Sequence, residues 1–111
     1  MTYEIGDEIT SIGIIGEQTN WSSDFATLTF NRTTRAWEGT ATISDNSEFK
    51  FRANGEWIPY NWGASTYATQ PAGDIDIITD GYNIKLNQGG TYRIQFWALA
   101  NSKAHCIFTK Q

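Results

Sequence analysis

The sequence has one cysteine, one histidine and two prolines among 111 residues, and each scarcity closes off a class of function. With Cys106 alone there is no intramolecular disulfide. In the alternating run Ala104 to Phe108 it shares parity with Ala104 and Phe108, so it reads as a small buried hydrophobe rather than a reactive thiol. With His105 alone, a zinc site or a Ser-His-Asp arrangement would rest on one residue with no second His or Cys at ligand spacing. His105 therefore reads as a surface histidine on a strand, and no catalytic group, metal or cofactor is expected. Gly89-Gly90 is a hairpin turn rather than a phosphate-cradling loop before a helix. Asp74, Asp76 and Asp80 punctuate a loop, as a solvated acidic segment or a weak calcium site would.

No apolar run approaches the ~20 residues of a membrane span, and the mostly polar residues after Met1 do not form a signal peptide. Basic residues are also few. Eight Lys and Arg against twelve Asp and Glu leave a net charge of −4, the wrong field for nucleic acid. Sustained helical periodicity is missing as well.

Aromatic residues are plentiful: five Trp, five Tyr and six Phe exceed what one core of this size needs, which puts some rings at the surface. Hydrophobic residues at 40% and charged ones at 18% fit a single globular domain. Met1 to Ser11 reads as a polar lead-in, and residues 12–111 as one module. Strands are predicted at Ile12–Ile15, Phe25–Phe30, Trp37–Ile43, Glu48–Arg52, Tyr82–Leu86, Tyr92–Ala98 and Ala104–Phe108. Turns fall at Asn31–Arg35, Asp45–Ser47, Asn87–Gly90 and Asn101–Lys103, and Gly63–Gly81 is mainly loop with room for one short strand at Ile75, Ile77 and Ile78. Seven to eight short strands in this order predict an all-β, immunoglobulin-like antiparallel β-sandwich; a small barrel is the alternative closure.

The stretch with most chemical content is Glu48 to Gly63, EFKFRANGEWIPYNWG. Phe49 and Phe51 share one strand face and Lys50 and Arg52 the other. The strand runs into a turn-rich segment with Trp57, Tyr60 and Trp62. Outward cations beside loop tryptophans suit a sugar, whose C–H face stacks on a ring and whose hydroxyls need directed donors. Trp21, Trp57 and Trp62 either cover one end of the fold or present a ring to a ligand. Trp97 points to the polar face with Arg93 and Gln95. Asn54-Gly55 also reads as a plain tight turn, and Lys50 and Arg52 as edge-protecting charges.

The order IGIIG, a Trp-bearing loop, TRAWEGTATIS, FKFRANGEW with NWG, and NIKLNQGGTYRI resembles the starch-binding modules of SusE/SusF outer-membrane lipoproteins and is similar to β-sandwich modules of bacterial pullulanases. The resemblance runs from about Ser11 to Lys110. It implies a non-catalytic module that binds starch or a related α-glucan at a cell surface, on a lipid-anchored outer-membrane protein that works in polysaccharide utilisation. A TonB-dependent transporter and sister lipoproteins are the implied partners; a spacer or protein-interaction domain of the same complex is the alternative. Carried onto this chain, Lys50 and Arg52 would bond sugar hydroxyls and Trp57, Trp62 and Trp21 would form the stacking arc. Tyr60, Asn54 and Trp97 are secondary candidates. The chain departs from the pattern at Ile58-Pro59-Tyr60 and in the loop Ala64 to Asp80.

Overall fold

Alternating apolar and polar residues dictate pleated strands with one buried face. The computed structural model describes residues 9–58, 60–98 and 103–111, and forms ten strands among them. They are β1 (Ile12–Gly16), β2 (Asp24–Asn31), β3 (Ala36–Ile43), β4 (Glu48–Ala53), β5 (Asn61–Ala64), β6 (Thr69–Gln70), β7 (Asp74–Thr79), β8 (Ile84–Leu86), β9 (Gly90–Ala98) and β10 (Lys103–Lys110). A single 3₁₀ turn, Glu17–Thr19, follows β1. No described helix is long and apolar enough to cross a membrane.

The expected all-β class is what the chain adopts, but the hydrogen bonding does not divide into the two sheets of an immunoglobulin-like sandwich. The strands follow one another as β1-β2-β3-β9-β10-β7-β5-β4, and β4 pairs back onto β1. This closes an eight-stranded barrel, the alternative left open by the sequence. β1 has partners along both sides: Ile12 and Ile14 oppose Leu28 and Ala26 on β2, and Ala53 and Phe51 on β4. Closure removes the unpaired edges that an open sheet would expose. β8 and β6 stand outside the ring: β8 pairs with the start of β4, and β6 pairs in parallel with β8.

The inward residues form one core. Phe51 stands among the rings of Phe96 at 4.8 Å, Phe108 at 6.2 Å and Phe49 at 6.3 Å. Ile12, Ile14, Leu28, Trp37, Tyr92 and Ile94 complete the lining. Cys106 lies in it too, and burial pushes its thiol well above the usual cysteine range.

Three expectations need correction. Asn61–Ala64 is a strand of the barrel wall rather than loop, because Trp62 pairs with Phe51 on one side and Thr79 on the other. The segment Gly63–Gly81 contains a full strand: β7 buries Ile75 and Ile77 while Asp74 and Asp76 point outward, the alternation of a half-buried strand. The lead-in does not extend to Ser11. Ile9 joins the core, and the Thr10 N–H and hydroxyl donate to Asn54 Oδ1 at 2.8 and 3.0 Å. Residues 1–8 of that lead-in, Pro59 and residues 99–102, which include the first two of the expected turn Asn101–Lys103, lie outside the described residues.

Candidate functional site

Lys50 and Arg52 face outward on β4 because Phe49, Phe51 and Ala53 occupy the inward positions. Across the ladder their neighbours on β1 are Ile15 and Gly13, and on β5 Arg52 opposes Asn61. Gly13 leaves the outer surface bare at the point where a side chain would stand. A Cβ there would overlap the Asp24 carboxylate, which lies across β1 to accept from Arg52 Nε at 2.8 Å. Both partners are largely covered, with side-chain exposures of 12% and 19%, so this is a substantially desolvated pair.

Asp24 reaches the outer face through a bulge. By simple alternation it shares parity with Ala26 and Leu28, which oppose the inward Ile14 and Ile12. The β1–β2 register shifts between Ile14 and Ile15, and Asp24 then opposes the outward Ile15. One extra residue flips the side chain to the other face.

Asn61 is the one buried polar residue among those described. Its Oδ1 accepts from Lys50 Nζ at 2.7 Å, and its Nδ2 donates to the Trp57 carbonyl at 3.0 Å and to Asp80 Oδ1 at 2.8 Å. One amide thus sets the lysine and pins the loop that carries the tryptophan. Partial burial pulls the Lys50 ammonium below the usual lysine value, against the Asp80 charge that pushes it up. A charge held at a desolvation cost is a feature of functional sites as well as of structural networks.

Above this row lies Trp57, 37% exposed, with Arg52 Cζ at 5.5 Å and Lys50 Nζ at 5.8 Å from its ring centroid. The Trp21 ring stands 6.1 Å away, tilted by 38°. Trp21 holds a left-handed backbone, φ 59°, which a bulky residue rarely adopts. The turn imposes it: Trp21 N–H donates to the Gly16 carbonyl at 2.9 Å, and the Thr19 hydroxyl donates to the Ser23 carbonyl at 2.7 Å. Local strain of this kind persists only where surrounding bonds over-determine it.

Four of the five principal candidates, Trp57, Lys50, Arg52 and Trp21, therefore meet on one outer face. Trp62 does not. It is fully buried, with the Phe96 ring at 5.0 Å, and so cannot stack on a ligand. In the motif NWG it is the asparagine that faces the site. Tyr60 is half-buried and stacks on Trp62 at 6.0 Å and 9°, which makes it part of the wall's support. Asn54 uses its side-chain oxygen to tie Thr10 and Ser11 to the turn after β4, so its role there is structural.

Trp97 lies on β9, four strands from β4 in either direction around the ring. Its indole N–H donates to the Thr34 carbonyl at 3.1 Å and its ring lies 5.7 Å from His105. It belongs to the opposite side of the barrel. The acidic residues of 74–80 also separate: Asp74 Oδ1 is 2.8 Å from His105 Nε2, whereas Asp80 joins Asn61. No cluster of three or more His, Cys, Asp or Glu side chains suited to a metal ion occurs among the described residues.

Sequence reasoning missed Asp24, Asn61 and Asp80, the partners that fix the cations. The alternation Asn61/Gly63 against Trp62/Ala64 was a signal for a strand, masked by the glycine and the proline around it. Sequence reasoning also gave no functional role to Tyr67 and Tyr82, which are 77% and 53% exposed and pair at 5.5 Å, and the strand expected from Tyr82 begins at Ile84. No protein-family model matches the chain, and no curated protein matches it.

Proposed function

We propose that the chain is a non-catalytic glycan-binding module whose site is the face formed by Trp57, Trp21, Lys50 and Arg52. The observation that carries this reading is a partly exposed indole with a guanidinium and an ammonium within 5.5–5.8 Å of its centroid and a second indole beside it. A pyranose needs this combination: a ring for its C–H face and N–H donors for vicinal hydroxyls. Among the described residues, the bonds to Asp24 and Asn61 engage one donor of each cation, fewer than a guanidinium or an ammonium carries, and fix both head groups in place.

The sequence resemblance to SusE/SusF-type modules makes starch or another α-glucan the ligand class. It also makes the cell surface, on a lipid-anchored outer-membrane protein beside a TonB-dependent transporter, the setting. A shallow face with one or two stacks, each giving about 1 kcal/mol beyond buried area, binds in the micromolar to millimolar range. Retention then comes from several modules acting together.

Isothermal calorimetry with maltoheptaose tests the site. Trp57→Ala should weaken binding about fivefold or more, while circular dichroism stays unchanged. Absence of binding across a panel of α- and β-linked oligosaccharides, or binding indifferent to Trp57→Ala and Lys50→Ala, would overturn it.

A second reading, a spacer or protein-contact domain, is favoured by one observation. Ile58, next to Trp57, is 83% exposed, an apolar tip that a sugar does not require. Ile58→Ser separates the two. It should leave glycan affinity intact if the module binds sugar, and it should weaken assembly with a partner protein if the loop is a docking tip.

A further inference from the structure

Tyr67 and Tyr82 are, after Ile58, the most exposed large apolar side chains among the described residues. Their rings stand 5.5 Å apart at 46°, an open V rather than a packed stack. Beside Tyr67 opens a groove of about 220 Å³, lined by Glu48, Tyr67, Ala68, Thr69, Asn83 and Lys85. Backbone pairing positions the walls around it. Tyr82 exchanges two backbone hydrogen bonds with Ala64, at 2.7 and 3.0 Å. Lys85 opposes Glu48 on one side and Thr69 on the other, and Asn83 Nδ2 donates to Glu48 Oε1 at 3.0 Å.

The chemistry selects a ligand class. Glu48 and Lys85 bring one charge of each sign, so the groove has no net field for a phosphate or a metal cation. A carboxylate, an ammonium, an amide and a threonine hydroxyl supply both donors and acceptors, as vicinal hydroxyls require. The exposed tyrosine faces supply the apolar platform. The volume lies below the roughly 300–1,000 Å³ of pockets for drug-sized ligands, which fits a single small ring. We propose that this groove is a second saccharide subsite, taking one neutral pyranose against Tyr67 with its hydroxyls met by Glu48, Asn83 and Lys85. The ligand class rests on the glycan-binding reading above, but the groove is separate from the Trp57 face. Glu48 and Arg52 lie at opposite ends of the outward row of β4, about 13 Å apart along the strand.

Titrating the ¹⁵N-labelled chain with maltoheptaose, cellohexaose and xylohexaose reads both places at once. The Trp21 and Trp57 indole signals report the first face; the Ala68, Thr69 and Lys85 amides and the Asn83 side chain report the groove. Saturable shifts at the groove signals are expected with at least one of these sugars, persisting in Trp57→Ala and weakened about fivefold or more in Tyr67→Ala. Glu48→Gln, which keeps the side chain's shape, should weaken them too. Shifts confined to the Trp57 face would overturn this proposal and leave the first reading standing. Shifts confined to the groove would support it and overturn the Trp57 assignment. No shifts with any of the three sugars would overturn it.

Discussion

Trp57 and Trp62 stand five residues apart in one stretch, yet one ring meets solvent and the other has none of its surface exposed. Trp57 rides on a turn whose carbonyl is held by Asn61, while Trp62 sits at an inward position of β5 opposite Phe51. The Trp62 indole N–H has no hydrogen-bond partner among the described residues, so what these residues show it contributing to the core is bulk. Two substitutions should then behave differently. Trp62→Ala leaves a large cavity and should lose about 3–5 kcal/mol of unfolding free energy. Trp62→Phe removes an unsatisfied donor along with part of the ring, and should lose less than about 2 kcal/mol. Urea denaturation of the two variants checks the order, and equal losses would mean that the indole N–H is satisfied in solution.

The elements that build the site are the irregular ones. A bulge in β2 turns Asp24 outward, and β4 shares its second edge between β5 at the Arg52 end and β8 at the Glu48 end. The segment between β7 and β8 can approach β5 this closely only because Gly63 and Gly81 face each other. A Cβ on Gly63 would overlap the Tyr82 carbonyl, and one on Gly81 would stand 2.7 Å from the Ala64 carbonyl. The obstacle is backbone on both sides, which cannot swing away as a flexible side chain would. Gly63→Ala should therefore cost about 1–3 kcal/mol, toward the upper end. The same change should also shift the Tyr82 ring, so the Tyr67 and Tyr82 ring signals should move in an aromatic NMR spectrum. A variant as stable as the parent would mean that the approach of residues 80–82 to β5 is looser than this.

At the scale of the whole molecule, closure of the barrel gives it two opposed outer faces held by different polar networks. The face of β4 carries the cations and Trp57. The opposite wall is tied by Glu38, which accepts from Gln95 at 2.8 Å, Asn31 at 2.9 Å, Thr34 at 2.9 Å and Arg93 at 3.2 Å. These donors join β2, the following turn, β3 and β9. The Gln95 bond foremost, then those from Asn31 and Thr34 and the Arg93 charge, hold the Glu38 carboxyl below its usual 4.5 despite burial. The folded state therefore binds the Glu38 proton less readily than the unfolded chain does. Its stabilisation is complete above about pH 4.5 and is lost as pH falls through the lowered folded value. Thermal unfolding across pH 7 to 3 should show a fall in Tm below that point. In Glu38→Gln the fall should be shallower from a lower plateau. An unchanged slope would assign acid lability to other carboxylates.

Much of this architecture was legible in the alternation of residues, because a strand with one buried face writes its parity into the sequence. The pairs Phe49/Phe51 and Lys50/Arg52, the inward Trp37 and the buried Cys106 all follow from that parity. Parity is local, and it fails where the register shifts or the segment is short. The β2 bulge hid Asp24, and the four residues of β5, which follow Pro59 closely and include Gly63, looked like a turn. Ring closure was legible only as the alternative to a sandwich, since which strand pairs with β1 on its second side depends on residues some forty positions away. The same long-range pairing sent Trp62 inward, Trp97 to the far wall, and Tyr67 and Tyr82 into one exposed pair. The sequence alone determined strands, faces and the outward cations; only the closed barrel decided which aromatic rings stand beside them.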